Sequence, residues 1–381
     1  MTPRLTVVVP LYNVEDYLGA CLESLSAQTM PDLEVVMVDD GSTDGSGALA
    51  REFAAGDARF RLVEQDNAGL GAARNTGVRH ATGTYLAFVD SDDVIPEDAY
   101  ELMLDTVEAS GSDFVTGNVF RLRADGTTDQ SPMFRKAMAT TRGATHVTRD
   151  WDLLADRIAC NKVFRRAFWD EHSFAFPEGV LFEDIPVVLP AHFLARSVDV
   201  LHDTVYLWRD RDGSISNKRA IPRAIRDRTA SCAHASGVLG TRPEWREGKR
   251  RYDHSVLAGD LWMFMEALPD GDAAYHEAFL DRANSFADSV DPAVLDELPL
   301  GLRVRWRLIR ERRMTELLAF MAYEKTNQDA FRARRGLRGR RADFPALTGR
   351  LPRKVVGLAK GDLPLDARVT QAAWDDDGKL R

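Results

Sequence analysis

The sequence is poor in cysteine and has no long apolar run, and both shortages exclude classes of protein. Its 381 residues include three cysteines, Cys21, Cys160 and Cys232, which lie far apart and form no Cys-x-x-Cys pair. Neither a disulfide framework nor a zinc site is indicated, and buried reduced thiols are expected. No run approaches the roughly 20 apolar residues that span a bilayer, and the first apolar stretch is too short for a secretory signal. We therefore expect a soluble protein located in the cytoplasm.

Positive charge is scarce over the first 300 residues and concentrated after them. The formal net charge is −9, but residues 301–360 contain 17 Lys and Arg against 5 Asp and Glu. This asymmetry indicates an anionic partner, and the candidates are headgroups of the inner membrane surface, a polyanionic polymer and an acidic neighbouring domain. Solvated helix faces would explain the same charge equally well. The eight histidines show no ligand spacing, and no nucleic-acid partner is expected.

The first 122 residues alternate between strand and helix patterns. Continuous apolar, β-branched runs such as Leu5–Pro10 are typical of parallel strands that are buried on both faces. Repeated βα units predict an α/β fold with a mostly parallel sheet and helices on both faces. The predicted strands are Leu5–Pro10, Leu33–Gly41, Arg59–Gln65, Tyr85–Asp93 and Ser112–Leu122, and the predicted helices are Val14–Gln28, Gly69–Ala81 and Pro96–Ala109.

The remaining residues change in character along the chain. Gly126–Arg149 is polar and aperiodic, which predicts a loop, whereas a helical pattern begins at Ala220 and includes Val256–Leu268 and Arg303–Lys325 as helices. The Arg- and Gly-rich stretch after Arg332 predicts a loose segment. The end of the chain predicts a strand and a turn, which would suit the first part of a longer protein. We expect an α/β domain over 1–218, a helical domain over 219–335, and a basic linker with the start of a β domain over 336–381.

Carboxylates follow two of the predicted strands at the point where each strand ends. Asp39 and Asp40 end the second strand, and Asp90, Asp92 and Asp93 end the fourth. In a doubly wound sheet these ends share one edge, where ligands bind. Five like charges are unfavourable there unless a cation or hydrogen-bond donors neutralise them. A single Asp could be a turn former or a helix cap. The combination instead favours a nucleoside diphosphate bound with Mg²⁺ or Mn²⁺.

Several motifs occur in the order found in one enzyme family. The segments "VVVPLYNVEDYLGACLESLSAQTMPDLEVVMVDDGSTDGS", "QDNAGLGAARNTGVRHATGTYLAFVDSDD" and "FEDI" resemble family 2 glycosyltransferases of the GT-A fold. The resemblance covers about 5–217. It implies transfer of a sugar from a nucleotide donor, usually a UDP-sugar, with inversion at the anomeric carbon. The chain is most similar to members that build teichoic acids and capsular polysaccharides, some of which are fused to a CDP-glycerol glycerophosphotransferase.

The resemblance also implies roles for individual residues in binding the donor. It implies that a wall of the nucleotide site is formed by Pro10, Tyr12 and Asn13, and that the partner of the uracil is Asp40 with its neighbour Gly41. A second nucleotide loop, whose arginine can reach phosphate, contains Asn67, Gly69, Arg74 and Asn75. The D-x-D element consists of Asp90, Ser91 and Asp92, and Asp92 is the direct metal ligand.

An inverting transfer also needs a base for the acceptor hydroxyl. The resemblance implies that Asp184 is this base and Glu183 its neighbour, at the start of a helix whose dipole should lower the pKa of Asp184 and keep it ionised. Arg209, Arg211 and Ser214 are candidates for a loop that reaches the acceptor or the diphosphate. An ordinary hairpin with an Asp-Gly turn explains the same stretch equally well.

Two other functions compete with this interpretation. One is a catalytically silent glycan- or polymer-binding module that recruits a downstream polymerase, and the intact set of Asp40, Asp90, Asp92 and Asp184 argues against it. The other is a nucleotidyltransferase, which would need a glycine-rich basic loop after the first strand; the sequence there, "PLYNVEDYLGA", has none. The sequence leaves the donor sugar open among UDP-N-acetylglucosamine, UDP-N-acetylgalactosamine, UDP-glucose and UDP-galactose.

Overall fold

The computed structural model describes residues 3–210, 220–326, 332–336, 339–343, 351 and 353–357. The chain divides into two compact units, Met1–Arg282 and Ala283–Arg381. This division does not test the domain boundaries expected at residues 218 and 335, which stay predictions. The strand and turn expected in the last residues, 367–381, lie outside the described residues.

The first unit begins with the predicted alternation of strands and helices. All seven residues of the first strand are buried, which explains its continuous apolar sequence. The elements are β1 Leu5–Leu11, α1 Glu15–Ser26, β2 Leu33–Asp39, α2 Ser46–Gly56, β3 Phe60–Glu64, α3 Leu70–His80, β4 Tyr85–Phe88, α4 Ala99–Ser110 and β5 Phe114–Leu122.

The first unit is built around one sheet of nine strands. Its further strands are β6 Thr128–Gln130, β7 Arg142–Thr145, β8 Lys162–Arg165 and β9 Val198–Arg209. The order is β3-β2-β1-β4-β8-β5-β9-β7, with β6 paired to β5. β1 pairs in parallel with both β2 and β4, so the order of the strands reverses beside β1. The carboxyl ends of β1, β2 and β4 therefore meet at a switch point, where α/β sheets bind ligands.

The prediction of a loop over Gly126–Arg149 was wrong in part. β6 pairs with β5, and β7 pairs with β9 at one end of the sheet. Both strands are short and none of their residues is fully buried, so their sequences show no apolar alternation. Backbone pairing with a neighbouring strand forms them. Short polar strands are also a usual way to protect the edge of a sheet from aggregation.

An aromatic core joins β4 to the helix that follows Asp184. This helix, α6, is Ile185–Leu194, and a short helix, α5, is Arg166–Glu171. The core contains Phe88 of β4 together with Trp169, Phe176 and two valines of α6, Val187 and Val188. The Phe88 ring lies 5.2 Å from that of Trp169 and 5.0 Å from that of Phe176. Burying each of these side chains contributes about 1.5–3 kcal/mol, and the packing brings the start of α6 close to the end of β4.

The rest of the first unit is helical, as predicted from Ala220 onward. Its helices are α7 Pro222–Leu239, α8 Arg246–Ser255, α9 Leu261–Met265 and α10 Ala273–Asp288, which continues into the second unit. The prediction of one helix over Val256–Leu268 was wrong in detail, because Val256–Asp260 is a π-helical turn that precedes α9. Such turns insert one extra residue into a helix and are frequent at functional sites.

The second unit contains two helices where the sequence predicted one over Arg303–Lys325. A reversal ends the first of them, and Arg312 has a φ of 55°, which lies in the left-handed region. The reversal lets the two helices pack against each other. The stretch after Arg332 that was expected to be loose forms an antiparallel pair of strands. The elements are α11 Pro292–Asp296, α12 Leu300–Arg310, α13 Met314–Thr326, β10 Arg332–Gly336, β11 Gly339–Asp343 and α14 Arg353–Val356.

Ion pairs neutralise part of the basic charge of the second unit. Arg305 binds Glu324 at 2.8 Å, and Arg310 binds Asp288 at 2.5 Å. Arg307 is paired with Glu311 within α12 and its C-cap. Pairing within the unit therefore accounts for part of the basic charge of α12 without an anionic partner. Among the described residues, none of the helices has both the length and the apolar character needed to cross a bilayer.

Candidate active site

The turns after β1 and β2 are tied together at the switch point. The side-chain oxygen of Asn13 accepts a hydrogen bond of 2.8 Å from the N–H of Thr43, and the N–H of Asn13 donates to Ser42 Oγ. Asn13 has a φ of 50°, a left-handed conformation that asparagine tolerates better than most residues. Next to it, Tyr12 is 49% exposed. An exposed aromatic ring on a rigid turn suits the predicted wall of a nucleotide site, which begins at Pro10 in β1.

Asp40 organises the predicted second nucleotide loop. Its buried carboxylate accepts hydrogen bonds from Gln65 Nε2 at 2.7 Å, the N–H of Ala68 at 2.9 Å and the N–H of Gly69 at 2.8 Å. Asn67 Nδ2 donates to the backbone oxygen of Asp40 at 3.0 Å. An ionised carboxylate has about four acceptor positions, so the three bonds to the carboxylate leave one position for a nucleobase. The pairing of Asp40 with uracil stays a prediction.

Two glycines allow this loop to close. Gly41 has a φ of +75°, and a Cβ there would lie 3.0 Å from the backbone nitrogen of Asn67. Gly69 has a φ of +91° at the start of α3. Both conformations are strained for residues with a side chain. The glycines of the two motifs are therefore required by the backbone itself, whatever they contribute to a ligand.

Asp93 binds the end of β9 to the D-x-D element. Tyr206 Oη donates to Asp93 Oδ2 at 2.6 Å and accepts from the N–H of Asp90 at 3.2 Å. The N–H of Arg209 donates to Asp93 Oδ1 at 2.8 Å, and Arg209 Nε donates to the backbone oxygen of Asp92 at 2.7 Å. Burial, and then the charges of the two neighbouring aspartates, raise the pKa of Asp93 well above its usual value. Sequence reasoning missed Tyr206, because nothing in a strand sequence marks it as a partner of a residue so distant in the chain.

Arg74 joins the D-x-D element to the predicted base. Its side chain, on α3, is 1% exposed. Nη2 donates to Asp90 Oδ1 at 2.6 Å, while Nη1 donates to Glu183 Oε1 at 2.6 Å and to Asp184 Oδ1 at 2.5 Å. The guanidinium also lies over the ring of Phe176, 5.1 Å from its centroid. Sequence reasoning placed Arg74 in the nucleotide loop with reach to phosphate; that role stays a prediction, and the three carboxylates are additional partners.

The prediction that the helix dipole lowers the pKa of Asp184 was wrong. Asp184 precedes α6 as expected, but burial raises its pKa above the usual value, with Arg74 opposing the shift. Burial also raises the pKa of Glu183 to about 7. Loss of hydration outweighs the dipole because the side chain of Asp184 accepts no capping bond from α6, and the charge of Asp90 adds to the shift. A base whose pKa lies nearer neutrality is better suited to proton transfer at physiological pH.

The other predicted residues surround this centre. Asn75 holds the neighbouring segment, because its side chain donates to the backbone oxygen of Phe176 at 2.8 Å and accepts from its N–H at 2.9 Å. Ser91 is 5% exposed. Cys160, which sequence reasoning left as a structural thiol, donates to Asp90 Oδ2 at 3.3 Å. Arg211 and Ser214 lie outside the described residues.

The arrangement fits a divalent cation that is shared with a ligand. Among the described residues, no three His, Cys, Asp or Glu side chains are placed to hold a metal by themselves. Mg²⁺ usually takes only one or two protein carboxylates and completes its shell with phosphates and water. Asp90 is engaged by Arg74 and Asp93 by Tyr206. The family resemblance places the metal at Asp92, so Asp92 stays the residue that we predict to bind the metal together with a diphosphate.

Comparison with known proteins identifies the family. A model of glycosyl transferase family 2 matches residues 6–172. Glycosyltransferase GlyG of Streptococcus pneumoniae serotype 4 is 32% identical over 224 residues, which cover 56% of this chain and 73% of GlyG. The chain therefore belongs to glycosyltransferase family 2, which confirms the resemblance stated from its motifs.

Two further relatives extend well beyond the matched region. EpsJ of Bacillus subtilis, an uncharacterized glycosyltransferase, is 32% identical over 225 residues, covering 57% of this chain and 64% of EpsJ. Poly(ribitol-phosphate) beta-glucosyltransferase of Bacillus spizizenii is 29% identical over 229 residues, covering 58% of this chain and 34% of that protein. The chain thus spans less than two thirds of either relative. A fused CDP-glycerol glycerophosphotransferase stays a prediction.

A solved structure confirms the fold class. Residues 1–349 of S. aureus TarS in complex with UDP-GlcNAc superpose with a TM-score of 0.72 and 21% identity, covering 90% of this chain and 97% of that chain. The chain therefore has the predicted GT-A fold, an α/β sheet flanked by helices and followed by a helical region.

Proposed function

We propose that this protein is a metal-dependent inverting glycosyltransferase that moves a sugar from a UDP-sugar to a hydroxyl group of a cell-envelope polymer, with Asp184 as the general base. One observation carries the proposal: the guanidinium of Arg74 binds Asp90 of the D-x-D element and Asp184 at the same time. A donor held at the first carboxylate would therefore place its anomeric carbon near the second.

The reaction would be a single displacement at the anomeric carbon. The turn of Tyr12 and the loop organised by Asp40 would hold the nucleoside. The acceptor hydroxyl would lose its proton to Asp184 as its oxygen bonds to the anomeric carbon, and the bond from that carbon to the diphosphate would break to release UDP. A Mg²⁺ or Mn²⁺ ion bound by Asp92 would supply positive charge to the departing diphosphate.

The proposed substrates rest on the similar proteins. TarS binds UDP-GlcNAc in its structure, which supports a UDP-sugar donor and leaves its sugar open among the four candidates. The relative named for poly(ribitol-phosphate) supports a teichoic acid as acceptor, and a capsular or other polysaccharide fits the same proposal. A location in the cytoplasm, at or near the inner face of the membrane, would give access to both substrates and remains a prediction.

A donor screen tests the proposed reaction. The protein, incubated with each of the four UDP-sugars and an extract of cell-envelope polymer, should release UDP with one donor above all when Mn²⁺ is present. EDTA should abolish this release, and Mn²⁺ added back should restore it. Turnover that survives EDTA would contradict the metal requirement. If calorimetry detects neither UDP-sugar binding nor metal-linked UDP binding, the binding-module alternative replaces the proposal.

The basic segment around β10 and β11 provides a second test, directed at the acceptor. In the register of these strands Arg334 is the backbone partner of Arg341 and Arg335 that of Arg340, so four basic residues lie within one short strand pair. A concentration of positive charge attracts a polyanion. Changing these four arginines to glutamine should weaken binding to isolated teichoic acid several-fold and reduce its salt dependence, whereas changing them to lysine should not. Equal binding by both variants would contradict the role, and loss of binding to anionic liposomes alone would indicate membrane contact instead.

A further inference from the structure

A buried ion cluster of Asp260, Arg157 and Arg228 in the first unit is connected to the predicted base. Asp260, in the π-helical turn, is 5% exposed and binds two arginines that are also mostly buried. Its Oδ2 accepts from Arg157 Nη1 at 2.5 Å, and its Oδ1 accepts from Arg228 Nε at 2.9 Å. The two arginines come from distant parts of the chain. Arg157 belongs to the segment that binds the carboxylate of Asp184, and Arg228 contacts the backbone segment that precedes Asp184.

The Arg157 arm leads to the backbone that binds the carboxylate of Asp184. Arg157 begins a short segment in which the N–H of Ala159 donates to Asp184 Oδ2 at 3.3 Å. A fully buried ion pair between Asp156 and Lys162, 2.6 Å apart, closes this segment on itself. Asp156 also ties the segment to β5 and α6, because its carboxylate accepts from Thr116 Oγ1 at 2.8 Å and lies 3.2 Å from His192 Nε2. Arg157 adds the attachment to the helical part, where it also donates to Ser255 Oγ at 2.6 Å.

The Arg228 arm leads to the backbone directly before the base. The Arg228 guanidinium lies over the ring of Phe182, 4.9 Å from its centroid. Phe182 has a φ of 64°, a strained conformation for an aromatic residue that persists only where the surroundings enforce it. Next to Arg228 on α7, Asp227 Oδ2 accepts from the N–H of Leu181 at 3.2 Å. α7 thus holds the two residues that precede Glu183.

We propose that Asp260 is a positioning residue for the general base: it couples the segment that binds the carboxylate of Asp184 to the segment that sets its backbone. This inference rests on the proposed function, in which Asp184 accepts the proton. Asp260 touches neither substrate nor the reacting atoms. Its one carboxylate binds both arginines, so a single residue connects the backbone that precedes the base to the segment that binds its side chain.

The π-helical turn explains how Asp260 reaches both arms. A π turn shifts the residues that follow it relative to a regular α-helix. The carboxylate of Asp260 faces Arg157 and Arg228 from the last residue of that turn. Its pKa is lowered by the two arginines against the effect of burial, which keeps it ionised.

The test compares Asp260→Asn with a matched substitution. A reactive geometry displaced by about 1 Å can cost on the order of 10²-fold in rate, so kcat of Asp260→Asn should fall about 10- to 100-fold while KM for the UDP-sugar stays unchanged. The control is Asp253→Asn: Asp253 is 2% exposed and binds Ser236 Oγ at 2.6 Å and Lys249 Nζ at 2.5 Å. Asp253→Asn should lower Tm by an amount similar to that of Asp260→Asn but leave kcat unchanged.

A second measurement follows the position of the base without turnover. Hydrogen exchange of peptides that contain 157–160 and 181–184 should be faster in Asp260→Asn and unchanged in Asp253→Asn. If Asp260→Asn does not fold, Arg228→Lys, which keeps the charge but loses the planar face against Phe182, should show the same pattern with a smaller effect.

Each outcome decides a different question. Equal kcat values for Asp260→Asn and Asp253→Asn, or unchanged hydrogen exchange in both segments, would overturn the positioning role even if the wild-type protein is fully active. If the wild-type protein turns over none of the donors while the exchange pattern appears as expected, the proposed function fails and the structural coupling through Asp260 stands.

Discussion

Replacing Asp184 with asparagine should lower kcat about 10²- to 10⁴-fold, the usual contribution of general base catalysis, and leave the affinity for UDP unchanged. The amide has the shape of the carboxylate, and its single oxygen can still accept from one of the two donors, Arg74 or Ala159, which bind different oxygens of Asp184 at 2.5 Å and 3.3 Å. It cannot take a proton from the acceptor hydroxyl. Steady-state kinetics with the donor found in the screen, and calorimetry with UDP, check the two halves of this prediction.

A matched variant separates loss of the base from general damage. Asp113 is a buried aspartate whose carboxylate binds Arg196 Nη2 at 2.5 Å. Asp113→Asn removes the same charge from a buried carboxylate that is paired with an exposed arginine, and it should keep kcat within about twofold. A rate of Asp184→Asn that stays close to that of Asp113→Asn would show that the proton leaves by another route, and Glu183 would then be the next carboxylate to test.

Replacing Arg74 with methionine should destabilise the protein by about 3–5 kcal/mol, as expected when one partner of a buried ion pair is removed. Three carboxylates, Asp90, Glu183 and Asp184, would remain close together without the cation that now lies within 2.6 Å of each. For a chain of this size the loss corresponds to a fall in Tm of about 4–6 °C. Thermal unfolding followed by circular dichroism measures it.

The destabilisation should depend on pH with a definite sign. Without Arg74 the three carboxylates repel one another, and the pKa values of Glu183 and Asp184, which burial already raises, rise further. At pH 5 protonation relieves more of this repulsion than at pH 8, so the difference in Tm from the wild type should be smaller at pH 5. Arg74→Lys keeps the charge without the planar fork and should lie between the two proteins. A difference in Tm that does not change with pH would mean that the lost packing against Phe176, and not the charge, dominates.

The elements that the sequence predicted correctly have local causes. β1 is a continuous apolar run because it is buried on both faces, and the Asp residues after β2 and β4 follow directly from where those strands end. The elements that it predicted wrongly depend on distant partners. β7 is polar and forms through pairing with β9, and the single helix expected over Arg303–Lys325 turns at Arg312 so that its two halves can pack. Local periodicity contains neither kind of information.

The sequence by itself determined the family, the α/β fold and the two groups of carboxylates, because motif order, strand periodicity and turn residues are local properties of the chain. Only the tertiary structure decided how those groups are connected. Arg74 and Glu183 are 109 residues apart, and Asp93 and Tyr206 are 113 apart, yet each pair is joined by one hydrogen bond. The pKa of Asp184 also follows from burial, which overrides the helix dipole that the sequence predicted to dominate. Desolvation and long-range contacts exist only once the chain is folded, so no local pattern could contain them.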